Sequence, residues 1–421
     1  MAIALLLGAT GPVRADVPPA EADVPPAEAD APPAEADAPP AEADAPPAEA
    51  DAPPAERLER SLIPAVKYNN DDGFGVGLLG VMAGFKPPYH PFQWRAEVLS
   101  FLTLRLNEHD QLHIPTQAHW LLVDFPGLLG PHVRLRFQLA FAQLNRFYYG
   151  LGNETPAGVS NSRRFQFERA AIPFEITARI SLPHDLYLVA VGQFTYNFMA
   201  VYDDSLLAKD LALPTGSFVR DTLHGIDNHA LLLGKLALEW DTRDHEVVPL
   251  RGMLHTIELL GGGGVGDSFA YGAARVALSF YQALADRYLV LAARVMGDAF
   301  IGQAPLDELP YLGGPRSVRG VPIGRFRGKA RALANLELRS RFLAWGSGAD
   351  RFHLGAAAFV DTGRVWADYQ ARPDLDGTGH GLKIGTGGGI RFQWGETVLL
   401  RFDAAWSPEG HGYYLDINHA F

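Results

Sequence analysis

From Leu62 onward, apolar and polar residues alternate with a period of two. In RFHLGAAAFVDTG, Phe352, Leu354, Ala356, Ala358 and Val360 share one face; Arg351, His353, Gly355, Ala357, Phe359 and Asp361 share the other. In ALANLELRSRF, Ala334, Leu336, Leu338 and Phe342 oppose Asn335, Glu337, Arg339 and Arg341, with Ser340 as the exception. In TVLLRFDAAW, Val398, Leu400, Phe402, Ala404 and Trp406 oppose Arg401 and Asp403. A period of two is the mark of β-strands, and helical periodicity is scarce.

A soluble sandwich would alternate as well, but two features argue against one. Many segments run 10–16 residues, where about five or six is typical of soluble strands. The polar faces also carry both signs of charge, while the apolar faces are continuous and tipped with aromatics. That pattern fits a lipid-facing band around a polar lumen. In lipid every backbone amide needs a partner, so the sheet must close on itself.

Laid end to end, the predicted strands are 62–69, 74–85, 91–107, 111–123, 131–147, 164–180, 185–202, 228–242, 252–262, 269–284, 287–300, 329–343, 351–366, 381–394, 397–407 and 412–421. They number sixteen, and the fold class is all-β, an antiparallel transmembrane barrel. The long connections, 148–163, 203–227, 301–328 and 367–380, all follow odd-numbered strands and so fall on one side. Bacterial barrels have short periplasmic turns and longer outer loops, so the long connections are expected to be extracellular.

The chain ends GYYLDINHAF, with Tyr413, Leu415, Ile417 and Phe421 on one face and His419 as an exception. This resembles the terminal signal by which outer-membrane barrels are recognised for insertion. An ordinary edge strand is the alternative.

The N-terminal 56 residues lie apart from this pattern. MAIALLLGATGPVRA, residues 1–15, reads as a secretory signal peptide, although it lacks a basic opening region. Residues 16–56 hold nearly all of a repeat, ADVPPAE or ADAPPAE, that occurs six times from Ala15. Two prolines per copy forbid a helix, so an extended acidic tether is expected, with the barrel occupying 57–421. The whole chain has 48 acidic and 36 basic side chains. The repeat holds 12 of the carboxylates, so the barrel region is balanced and carries no nucleic-acid footprint. There is no cysteine, which suits passage through an oxidising compartment. No apolar run reaches the roughly 18 residues of a membrane-spanning helix.

Four motifs follow one another in the second half. They are EWDTRDHEVVPLRG (Glu239–Gly252), LGGPRSVRG (Leu312–Gly320), NLELR (Asn335–Arg339) and FVDTGRVW (Phe359–Trp366). Taken in this order, with the strand count and the terminal Phe, they make the chain resemble the BamA/TamA family of outer-membrane barrels, the bacterial surface antigen superfamily. The resemblance covers roughly residues 62–421. It implies a sixth outer loop that tucks into the lumen and presents a Val-Arg-Gly tip: here Gly313, Gly314, Val318, Arg319 and Gly320. It also implies that Arg319 bonds to Glu337 and Asp361, both on the polar face of adjacent strands. Such a latch in a water-filled lumen is expected to contribute on the order of 1–3 kcal/mol. The alternative is a solvated arginine at an exposed loop tip. FYYGLGNETP, residues 147–156, resembles the third outer loop of members that lack the usual periplasmic modules.

Two departures from the family stand out. Val321 replaces the aromatic expected after Arg-Gly, so weaker packing of the tip is expected. Only the tether precedes the barrel, leaving no room for a periplasmic polypeptide-transport-associated module. Asp241, Arg243, Asp244, Pro249 and Gly252 are read as a periplasmic turn closed by ion pairs, in preference to a catalytic cluster. GGGGVG, residues 261–266, fits a dinucleotide fingerprint formally, but a strand pattern follows where a helix is required. H-E-x-x-H and G-x-S-x-G are absent, so no enzyme activity, metal or cofactor is expected.

The resemblance implies insertion or translocation of proteins, or of lipids, at the outer membrane. The partners implied are outer-membrane lipids, unfolded outer-membrane or secreted proteins, and the machinery that inserts the barrel itself. A passive pore or structural surface antigen on the same scaffold is the alternative, because fold does not fix function.

Overall fold

A computed structural model of the chain describes residues 57–69, 73–86, 92–106, 112–156, 163–266, 269–286, 288–346, 351–395 and 398–421. The expected signal peptide and repeat tether lie outside these residues. Sixteen long strands form the barrel: β1 (Arg57–Asn69), β2 (Gly73–Phe85), β3 (Trp94–Leu106), β4 (Thr116–Pro126), β5 (Val133–Phe147), β6 (Gln166–Leu182), β7 (Leu186–Val201) and β8 (His229–Asp241), then β9 (Gly252–Gly264), β10 (Ala270–Ala285), β11 (Leu289–Gly302), β12 (Ala330–Trp345), β13 (Phe352–Trp366), β14 (Lys383–Trp394), β15 (Val398–Ser407) and β16 (Gly410–Ile417). Each strand pairs antiparallel with its sequence neighbours, and β16 meets β1 to close the sheet.

The alternation read from the sequence becomes a two-sided wall. On β12, Leu336 and Leu338 are 47% and 40% exposed, whereas Glu337 between them is 0% exposed. The same inversion recurs at Val360 beside Asp361 and at Phe402 beside Asp403. Apolar outside and charged inside is the reverse of a soluble sandwich. It is what a strand needs when one face meets acyl chains and the other a polar interior. Among the described residues no helix is long and apolar enough to cross a membrane.

Three strands differ from the sequence reading. The first starts at Arg57 instead of residue 62, because Arg57–Ser61 pair with Val81–Phe85 although they do not alternate. The fourth is broken: Leu112–His113 pair with β3 separately from Thr116–Pro126. Pro115 sits at the break, where it has no amide to give the ladder.

The third correction concerns the chain end. The final strand stops at Ile417, because Asn418 adopts a left-handed φ of 67°. Phe421 therefore does not share the outer face with Tyr413, Leu415 and Ile417. Its ring lies 4.9 Å from the guanidinium carbons of both Arg294 and Arg339.

The long connections, 148–165, 202–228, 303–329 and 367–382, follow β5, β7, β11 and β13 and gather on one side. The second holds helices α1 (Leu206–Leu211) and α2 (Phe218–Thr222), and the fourth holds α3 (Pro373–Asp376). Glycines 261–264 extend β9, and a strand follows them, so no helix terminus is available for a dinucleotide.

Candidate functional site

The 303–329 connection turns back at a short hairpin, with Tyr311–Leu312 paired to Phe326–Arg327. Gly313 has a φ of 110°, and a Cβ there would stand 1.8 Å from the carbonyl oxygen of Pro322, so only glycine fits the turn. Gly314 N–H donates to Val321 O at 2.9 Å and closes the loop that carries the tip. Val318, 0% exposed, and Val321 pack with Leu312, Phe326, Leu333 and Val365. The expected weak packing at Val321 is not seen, because this apolar cluster surrounds it. The aromatic partner of the tip comes from the wall instead: the Phe359 ring centroid is 3.4 Å from the Arg319 guanidinium carbon.

Arg319 is fully buried and saturated. Its Nε and Nη2 donate to Asp361 at 2.7 and 2.9 Å in a two-toothed contact. Nη1 donates to Glu337 at 2.6 Å and to Asp403 at 3.1 Å. Its backbone N–H also reaches Asp361, at 3.1 Å. Next to it, Gly320 N–H donates to the Tyr414 hydroxyl at 3.1 Å. β14 makes room for this approach: a Cβ on Gly385 would stand 1.9 Å from the Arg319 carbonyl oxygen.

The wall residues are fixed in turn. Asn335 Nδ2 bridges Asp361 and the Ser317 carbonyl, each at 2.8 Å. Arg339 Nε donates to Glu337 at 2.8 Å, and Arg401 and Arg391 donate to Asp403 at 2.9 and 2.6 Å. The expected 1–3 kcal/mol assumed screening by lumen water. Side chains at 0% exposure for Arg319, Glu337, Asp361 and Asp403 remove that assumption. A dry pair costs about 3–5 kcal/mol to break.

Sequence reasoning missed a second anchor. Asp307, in the same connection, pairs with Arg146 at 2.9 Å and Arg169 at 2.7 Å. Burial alone would raise its carboxyl, but Arg146, Arg169 and Arg327 outweigh burial and hold it at about 2. Folding therefore gains from the ionised form. That contribution is complete above the unfolded value of about 3.9 and is lost as pH falls through about 2. Asp307→Asn is expected to lower the denaturation midpoint at pH 7 and to flatten its fall on acidification. Parallel acid profiles for the two proteins would contradict this.

The long connections also interlock. Tyr148 Oη donates to Asp210 at 2.7 Å, and Leu306 N–H to His224 O at 2.8 Å. Gly152 N–H donates to Arg327 O at 2.7 Å, and Asn153 N–H to Leu375 O at 2.9 Å. The residues of FYYGLGNETP thus join the 303–329 connection to the two on either side of it.

At the opposite mouth, Arg243 grips Asp241 with Nε and Nη2 at 2.8 and 2.9 Å. Asp244 Oδ1 accepts the backbone N–H groups of Leu250 and Arg251, Pro249 is buried, and Gly252 has a φ of 101°. This is a structural turn, separate from the Arg319 cluster. Among the described residues no group of His, Asp or Glu is placed to hold a metal ion.

The seam is short. β1 pairs with β2 along all of Arg57–Asn69. Among the described residues, only Tyr68 and Asn69 of β1 pair with β16, opposite Leu415 and Tyr414. Among the described residues, Arg60–Lys67 pair with β2 and with no strand on the other side.

The Omp85 superfamily domain matches residues 126–418. None of the curated proteins compared matches the chain. Among solved structures, BamA from Haemophilus ducreyi lacking POTRA domains 1-3 is 13% identical, with a TM-score of 0.56 over 86% of this chain and 71% of that one. CdiB from Escherichia coli is 12% identical, with a TM-score of 0.51 over 86% of this chain and 67% of that one. At these identities the likeness is one of fold, and the family follows from the domain match: the chain belongs to the Omp85 superfamily, as a sixteen-stranded barrel of the bacterial outer membrane.

Proposed function

We propose that the barrel assists insertion or translocation of proteins, or of lipids, at the outer membrane. The observation that carries this reading is the short β1–β16 seam. Among the described residues, Arg60–Lys67 meet no strand on the β16 side, and amides left unpaired in lipid are costly. An incoming strand satisfies them, so the edge serves as a template. The arginine-bound connection acts as the latch that keeps the rest of the wall rigid while the seam opens. The work is mechanical, with no covalent step. Clients are unfolded outer-membrane or secreted proteins, and surrounding lipids form the second partner.

A passive pore is the weaker reading, because the hydrogen bonds among the long connections favour a capped lumen. Depletion in the native host is expected to lower the folded levels of some other outer-membrane proteins. Normal levels of all of them, together with steady conductance in planar bilayers, would favour the pore instead.

A further inference from the structure

A cavity of about 30 Å³ lies on the short-turn side of the barrel, between the β8–β9 turn and β12, β13 and β14. Arg339, Arg341 and Arg391 line it with His353, Gln393 and His419, and among the described residues no carboxylate does. Arg391 and Arg339 are 4% and 6% exposed, so their charges are largely removed from bulk water.

The donors on Arg391 and Arg339 are only partly used. Arg391 Nη1 donates to Asp403 at 2.6 Å. Its Nε and Nη2 meet no hydrogen-bond acceptor among the described residues, and Nη2 stands 3.9 Å from Glu337. Arg339 gives Nε to Glu337 and Nη2 to the main-chain oxygen of Phe421, which leaves Nη1 without an acceptor. The carboxylates that these two arginines meet are already committed: Glu337 and Asp403 both also hold Arg319. Buried guanidinium donors without acceptors are costly, and a charged acceptor relieves that cost.

Gln393 narrows the chemistry. Its Nε2 donates to Gly395 O at 2.8 Å, which orients the amide and leaves a buried Oε1 with no donor among the described residues. A ligand that suits the cavity therefore accepts from two guanidinium groups and donates once. A hydrogen phosphate or phosphate monoester does both; sulfate at neutral pH has no proton to give. Room for about two water-sized positions admits a single tetrahedral oxyanion and excludes a nucleotide base or sugar.

We propose that this cavity is a phosphate-binding site, taking free phosphate or the phosphomonoester headgroup of a lipid. The inference does not rest on the assembly reading, and its test measures binding alone. The full chain, in phosphate-free detergent micelles, is titrated with sodium phosphate, sulfate or chloride at equal ionic strength. Phosphate is expected to raise the thermal midpoint saturably and above the other two. Arg391→Gln is expected to weaken this response about tenfold, and Gln393→Leu to erase the preference for phosphate over sulfate. Among the described residues, the Gln393 side chain makes no hydrogen bond to the Arg319 cluster, so its variant reports on the cavity even where loss of Arg391 harms folding. Native mass spectrometry from nanodiscs containing phosphatidic acid separates the sources. A retained lipid displaced by phosphate assigns a headgroup site; phosphate binding without retained lipid assigns the free ion. Equal midpoints in all three salts, or a Gln393→Leu protein that still prefers phosphate to sulfate, would overturn the proposal.

Discussion

Replacing Arg319 with alanine is expected to be the most damaging single substitution in the barrel. It takes the side-chain cation from Asp361 and one of the cations from Glu337 and Asp403, which keep Arg339, Arg391 and Arg401, all three carboxylates being at 0% exposure in a dry interior. Breaking one partner out of such a group costs about 3–5 kcal/mol. Arg319→Lys should fall between the two, because it keeps the charge but loses both the two-toothed contact with Asp361 and the planar stack on Phe359. The measurement is the denaturant midpoint of the barrel in lipid vesicles. A double-mutant cycle sharpens it: Asp361→Asn should destabilise wild type strongly and the Arg319→Ala background little. Additive effects, or an unchanged midpoint in Arg319→Ala, would mean that the 303–329 connection is held by its apolar contacts instead.

Locking the seam should abolish function while leaving the fold intact. Tyr68 and Leu415 are directly opposed across β1 and β16, and the chain has no cysteine of its own. A Tyr68→Cys, Leu415→Cys pair therefore offers one defined disulfide that bars separation of the two strands. If clients enter at this seam, the oxidised protein should fail to insert a reporter barrel into vesicles and reductant should restore it. A control pair between β1 and β2, at Val66 and Val76, ties strands that are already fully paired and should have little effect. Full activity of the oxidised Tyr68–Leu415 protein would remove the seam from the mechanism and leave the Arg319 cluster untouched as a structural feature.

Much of this architecture was legible in the sequence because a barrel wall obeys a local rule. Each strand must place one residue in lipid and the next inside, so Leu336 and Glu337, or Val360 and Asp361, disclose their sides by position alone. Strand count and the side on which the long connections gather follow from the same alternation. The motif LGGPRSVRG marked a tight turn carrying a cation, and NLELR and FVDTG marked acids on neighbouring inner faces.

Only the tertiary structure decided which inner charges meet. Asp403 alternates like any other lumen residue, and nothing in TVLLRFDAAW says that a tip 84 residues earlier reaches it. Asp307 with Arg146 and Arg169, the stack of Phe359 on Arg319, and the cavity at Arg391 likewise join residues far apart along the chain. Alternation assigns a side chain to a face, whereas a contact across the lumen depends on barrel closure, strand stagger and the path of a long connection. Those quantities are set by the whole sheet at once. The turning of Phe421 away from lipid is the same lesson at small scale, since a left-handed Asn418 ends a pattern whose continuation the letters alone suggest.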